Sequence, residues 1–109
     1  MIQEHAILSI VPGDEAAFER AFATARTLIE ASPGFLGLTL SRGVESPSTY
    51  LLLVQWESVD AHEIGFRGSP AYEEWRSLLH HFYDPFPVVE HFGSLTRYFL
   101  VARDSRTAS

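Results

Sequence analysis

Hydrophobic residues recur along the chain with two periods, and the switches between them divide it into elements. Residues 3–11 alternate with period two. Ala6, Leu8 and Ile10 fall on one side; His5, Ile7, Ser9 and Val11 fall on the other, which predicts a strand. Residues 15–31 change to helical spacing. Phe18, Phe22, Ala25 and Ile29 form a stripe with Ala21 and Leu28 beside it, and Glu19, Arg20, Arg26 and Glu30 lie mostly off it. Gly13 or Asp14 is the expected cap, and Asp14 and Glu15 suit the positive end of the helix dipole. Ser32-Pro33-Gly34 stops the helix, because Pro cannot continue it.

Residues 35–42 predict a second strand, with Leu36, Leu38 and Leu40 on one face and Gly37, Thr39 and Ser41 on the other. After a turn around Pro47, residues 49–58 form a third strand and complete a hairpin. This is the most apolar stretch of the chain. Tyr50, Leu52, Val54 and Trp56 point one way, and Leu51 and Leu53 point the other. A strand apolar on both faces must be covered on both.

Residues 59–66 form a short helical piece capped by Ser58 and interrupted by Gly65 and Gly68. Ser69-Pro70 is a stronger start, with Ser as cap and Pro in the first helical position. The helix it opens is expected over 70–82, with Tyr72, Trp75, Leu78, Leu79 and Phe82 as its apolar side. Pro85 and Pro87 force an exit. Residues 88–101, containing Phe92, Leu95, Tyr98, Phe99 and Leu100, predict a long final strand, and residues 102–109 a polar tail.

The order is strand, helix, strand, strand, helix, strand. The expected fold is α+β: a ferredoxin-like βαββαβ unit with a four-stranded antiparallel sheet and both helices on one face. That leaves the other sheet face as a large apolar patch. Face-to-face pairing of two sheets, a dimeric α+β barrel, would cover it. Glutamate at Leu52 or Val54 is expected to test that homodimer.

Composition narrows the chemistry. The 109 residues suit a single domain, 1–101. There is no Cys, and all eight basic residues are Arg. Thiolate nucleophiles and Schiff-base lysines are therefore excluded. A net charge of −6 argues against a nucleic-acid or anionic-membrane partner. No stretch approaches the roughly 20 apolar residues of a membrane span. Met1-Ile2-Gln3-Glu4-His5 has no signal-peptide character, so a cytoplasmic location is expected.

Three stretches resemble the antibiotic biosynthesis monooxygenase family of dimeric α+β barrels. Ala31-Ser32-Pro33-Gly34-Phe35-Leu36-Gly37 is similar to its helix-to-strand turn. Gln55-Trp56-Glu57-Ser58, followed by Ala61-His62, is similar to its strand-end motif. Ser69-Pro70-Ala71-Tyr72 is similar to the start of its second helix. The resemblance runs in consistent order over about residues 3–100. It implies a monooxygenase that oxidises a small aromatic or quinol-like metabolite with O2, without metal, flavin or haem. Two departures stand out. Many members carry a His three or four residues before the Ser/Thr-Pro, where this chain has Ile64-Gly65-Phe66-Arg67 and His62 a turn earlier. The haem-degrading branch uses an Asn, a Trp and a His, and this chain has no Asn at all.

Such chemistry needs a base, an apolar pocket and an oxyanion donor. The stretch from His80 to His91 concentrates three His, one Tyr, one Asp and one Glu within twelve residues, braced by Pro85 and Pro87. In the functional reading His81 or His91 is the base, Asp84 orients it, and Tyr83 or Arg67 donates to the oxyanion. In the competing reading this is a rigid connection that packs on the sheet or a partner. His5, Trp56, Phe66, Arg67, Trp75 and Phe86 are candidates for the substrate wall, although Trp56, Trp75 and His5 also suit purely structural roles. His62, between Asp60 and Glu63, is expected to be solvated. His80, His81, Glu90 and His91 are ligand types that divalent metals accept. Adjacent His residues on a helix point about 100° apart, and no metal is expected. A non-oxidative isomerase or cyclase, or a non-catalytic dimer that binds a small apolar ligand, would use the same fold.

Overall fold

The alternating stretches pair into one sheet. In the computed structural model, which describes residues 1–96, the elements are β1 (Ile2–Ser9), α1 (Glu15–Glu30), β2 (Phe35–Arg42), β3 (Thr49–Trp56), a π-helical turn (Ala61–Phe66), α2 (Pro70–Leu79), a 3-10 turn (His80–Phe82) and β4 (Val89–Gly93). The strands lie in the order β2-β3-β1-β4, all antiparallel. This is the ferredoxin-like arrangement expected from the sequence.

Register decides which side chains meet. Ala6 pairs with Leu52 on β3 and Val89 on β4, and Glu4 pairs with Val54 and His91. Glu4, Ala6, Leu8, Tyr50, Leu52, Val54 and Trp56 therefore share the face that the helices cover, and all are buried. Phe18 of α1 is the centre of that core. Its ring meets those of Phe22, Tyr50, Phe82 and Tyr83.

The opposite face carries His5, Ile7, Leu51, Leu53 and Phe92. Ile7 is 54% exposed and Phe92 50%. Leu52 and Val54 point into the core, so glutamate there tests folding rather than assembly. The mirror positions on β3, Leu51 and Leu53, face the open side. An irregularity in the β2–β3 pairing between Phe35 and Gly37 turns Leu36 out to solvent, while Leu38 and Leu40 keep to the core side.

Local signals explain the boundaries. The Ser69 hydroxyl accepts the Tyr72 N–H at 3.3 Å and caps α2. The Ser58 hydroxyl accepts from Ala61 N–H and caps the broken helix. That piece is a π-helix because the Arg67 N–H reaches back five residues to the His62 carbonyl, at 3.0 Å. The helix expected over 70–82 is α-helical only to Leu79 and tightens to a 3-10 turn before the prolines. The final strand ends at Gly93; residues 94–96 are not strand, and Tyr98, Phe99, Leu100 and the tail lie outside the described residues.

Gly34 closes the turn from α1 to β2. Its φ is +87°, and a Cβ there would sit 2.6 Å from the Ala61 side chain. Both the left-handed backbone and the contact require glycine. Gly34→Ala is expected to cost roughly 2–4 kcal/mol. That should appear as a fall in Tm of about 8 °C or more by calorimetry.

Candidate active site

A cavity of about 100 Å3 lies between the helix-covered sheet face and the elements that follow β3. Ala6, Leu8 and Leu52 form its floor. Phe66 of the π-helix, Tyr72 and Trp75 of α2, and Tyr83 form an aromatic wall. Arg67, Phe86 and Pro87 stand at the rim, where Arg67 and Phe86 are exposed to solvent. Three polar groups besides Tyr72, Tyr83 and Arg67 reach it: Glu4, His62 and His80.

Glu4 is the unusual one. It is a carboxylate on the core side of a central strand, only 6% exposed. Trp56 donates its indole N–H to Oε1 at 3.0 Å, and His62 Nε2 stands 3.3 Å from the same oxygen. Burial pushes its pKa up to about 6; the Trp56 hydrogen bond and the Arg67 charge oppose that rise, and Glu63 adds to it. A carboxylate tuned to that range is a competent general base at neutral pH.

His62 stacks on Trp56, with ring centroids 5.3 Å apart and planes 19° from parallel. Its Nδ1 is 2.7 Å from His91 Nε2. Burial brings its pKa down to about 4, helped by His91 and Arg67. His62 is therefore neutral at pH 7 and carries one ring proton. With Glu4 ionised, one neutral tautomer satisfies both neighbours: Nε2–H donates to Glu4, and Nδ1 accepts from His91 Nε2–H. Burial also pushes the pKa of the Tyr83 hydroxyl well above its usual range and that of His80 below its own.

Of the residues expected from the sequence, Phe66, Arg67, Trp75, Tyr83 and Phe86 meet at the cavity. His91 stands one step behind it, in contact with His62, and Trp56 holds Glu4 from below. His5 lies on the open sheet face against Phe92. His81 and Asp84 are exposed and do not reach the cavity. Glu4 and His62, at the polar centre of the site, were not expected, nor were Tyr72 and His80 on its wall. The alternation Glu4-Ala6-Leu8-Ile10 places Glu4 on the core side and could have marked it. His62, thought solvated, is 4% exposed, one helical turn from buried Phe66.

His62, His91 and Glu63 are also the donors nearest to a metal set among the described residues, with one ligand atom each within 4.8 Å of one another. Two imidazoles on one tetrahedral ion at 2.0–2.1 Å would stand about 3.3 Å apart. The 2.7 Å between His62 and His91 is the spacing of a shared proton.

The family model for antibiotic biosynthesis monooxygenase matches residues 1–78. The chain belongs to this family. It is 49% identical over 92 residues to YczJ of Bacillus subtilis, whose activity is uncharacterised, covering 84% of this chain and 97% of that one. It is 33% identical over 61 residues to a mycobilin-producing heme oxygenase of Mycobacterium tuberculosis, covering 56% and 58% of the two chains. A putative antibiotic biosynthesis monooxygenase from Bordetella bronchiseptica superposes with a TM-score of 0.83 at 40% identity, over 87% of this chain and 97% of that one. SnoaB of Streptomyces nogalater, a cofactor-independent oxygenase, shares the fold, with a TM-score of 0.77 at 20% identity over 88% and 94%. A cavity of about 150 Å3 holds one benzene ring, and the space here is about 100 Å3, so a ring enters only if the rim at Arg67 and Phe86 opens. Among the described residues no helix is long and apolar enough to cross a membrane.

Proposed function

We propose that this family member is a cofactor-independent monooxygenase for a small aromatic or quinol-like substrate, with Glu4 as the base. The observation that carries the reading is a buried carboxylate, tuned to about 6, on the wall of an aromatic-lined cavity. The substrate ring lies between the apolar floor and the aromatic wall, with Phe86 and Arg67 moving outward to admit it. Glu4 takes the phenolic proton. The resulting anion gives one electron to O2, and the two radicals join as a carbon–oxygen bond at a ring C–H position. The peroxide so formed takes a proton from water at the cavity rim, and the hydroperoxide then loses water: the O–O bond breaks, that carbon gives up its hydrogen as a proton to the departing hydroxide, and a carbonyl forms. One oxygen atom ends in the quinone and the other in water. All electrons come from the substrate, so the scheme calls for no redox cofactor. Tyr83 and Arg67 are the donors that face a developing oxyanion.

Oxygen uptake with a panel of phenols and hydroquinones tests the reading. The expected result is one O2 consumed per quinone formed, with no peroxide released. Thermal stabilisation by these compounds without uptake would instead make the protein a binding module, and turnover without O2 an isomerase or cyclase. We also propose that a second copy covers the open face bearing Ile7, Leu51, Leu53 and Phe92.

A further inference from the structure

Taking Glu4 as the cavity's base, as above, we propose that His62 and His91 form a proton path that connects Glu4 to solvent, beside the Glu63 carboxylate. Four residues from three elements meet in sequence. Glu4 on β1 faces His62 Nε2 at 3.3 Å, His62 Nδ1 faces His91 Nε2 on β4 at 2.7 Å, and His91 Nε2 faces Glu63 Oε1 at 3.8 Å. Exposure rises along the chain. The His62 side chain is 5% exposed, that of His91 17% and that of Glu63 40%. The path starts in the core and ends in water.

Imidazole is the side chain that accepts a proton on one nitrogen while releasing another from its second. His62 is placed to do so, with Glu4 at Nε2 and His91 at Nδ1; His91 meets both His62 and Glu63 through Nε2, and its Nδ1 is the nitrogen left to exchange with water. An apolar side chain would fill the position of His62 without the cost of burying a polar ring. With Glu4 ionised, the hydrogen bonds run inward, from His91 to His62 to Glu4. Once Glu4 has taken a proton and both rings carry theirs on Nδ1, they run outward. A proton then passes from Glu4 to His62 Nε2, a second from His62 Nδ1 to His91 Nε2, and a third from His91 Nδ1 to water. The net result is one proton delivered from the cavity to solvent, with Glu4 ionised again. The charged and titratable groups around the path are Glu63 in the π-helical turn, Arg67 at its end, and Tyr72 and Tyr83 on the cavity side. Arg67 favours loss of a proton from Glu4 and opposes its retention on His62.

The test needs no substrate, so its failure and a failure to find oxygenase activity are separate results. The exchange of the His62 ring N–H with water is measured by 15N NMR, with the Trp56 indole N–H as a report that the site is intact. In the wild type the His62 proton is expected to exchange at least ten-fold faster than the equally buried indole. His91→Gln keeps a hydrogen-bonding group but cannot relay, and should slow the exchange ten-fold or more. His91→Gly should slow it equally, and imidazole in the buffer should restore it. Unchanged exchange in His91→Gln, or no recovery with imidazole, overturns the path. If both His91 variants disturb the indole signal, the wild-type comparison decides: a His62 proton that exchanges at least ten-fold faster than the indole supports the path, and one that exchanges no faster overturns it. Zn2+ that shifts both ring signals at one equivalent would also overturn it and assign a metal site.

Discussion

Glu4→Gln is expected to lower kcat by roughly 10^2- to 10^4-fold, the range for losing a general base, which is about 3–5 kcal/mol of transition-state stabilisation. KM should change little. Glutamine keeps an acceptor for the Trp56 indole and matches the shape of the acid, so the cavity survives while the proton acceptor is gone. Wild-type kcat/KM should rise with pH through about 6, because the base must be ionised, and the variant's residual activity should lack that limb. Stability gives a second readout. The Glu4 pKa is raised in the folded protein from 4.5 to about 6, so its contribution is complete below 4.5 and is lost as pH rises through 6. The His62 pKa is depressed from 6.5 to about 4, so the unfolded chain binds the extra proton, and stability is lost as pH falls from 6.5 towards 4. These shifts correspond to about 2 and about 3 kcal/mol of opposite sign. Between pH 4.5 and 6 they largely cancel, and wild-type stability in urea should be nearly level. In Glu4→Gln only the His62 contribution remains, and stability should climb steeply from pH 4 to 6.5. A level profile for the variant would sink the assignment of Glu4 as a buried, titrating partner of His62.

Period and punctuation carried most of the fold into view. Strand alternation, the Pro-Gly stop after α1 and the Ser-Pro start of α2 are local effects, and they hold locally. The candidate site was legible where aromatics gather in and around α2, giving Phe66, Trp75, Tyr83 and Phe86, with Arg67 next to Phe66. Its polar centre was not, because it depends on register. Glu4 meets His91 only through the β1–β4 pairing and meets His62 only because the π-helical turn folds back over Trp56. No spacing along the chain encodes those contacts. The cluster of His81 and Asp84 drew attention through composition, but one residue's difference on the 3-10 turn separates exposed His81 from cavity-lining His80. The same difference of one decides which substitutions report on assembly.

Leu53→Glu is expected to convert the proposed dimer to a folded monomer, while Val54→Glu, one residue on, is expected to unfold the chain. Val54 is completely buried, between Glu4 on one neighbouring strand and Leu38 on the other. A carboxylate there would lose the valine's packing and bury a charge beside Glu4 with no partner. The cost should exceed about 4 kcal/mol, most of what a domain with 5–15 kcal/mol of stability can lose. Its loss of structure by circular dichroism would say nothing about assembly. Leu53 is flanked by His5 and Thr39 on the open face, where a glutamate in a lone chain stays in water. Its effect on monomer stability should stay within about 1 kcal/mol. In a face-to-face pair the same carboxylate would enter a desolvated interface without a partner, at a cost of about 3–5 kcal/mol per buried charge. Light scattering at micromolar concentration should then read about 12.2 kDa, the mass of one chain, with a native circular dichroism spectrum. A Leu53→Glu protein that stays dimeric with undiminished affinity would show that the open face is covered in some other way. The cavity on the helix side would be unaffected by that outcome, since its walls come from one chain.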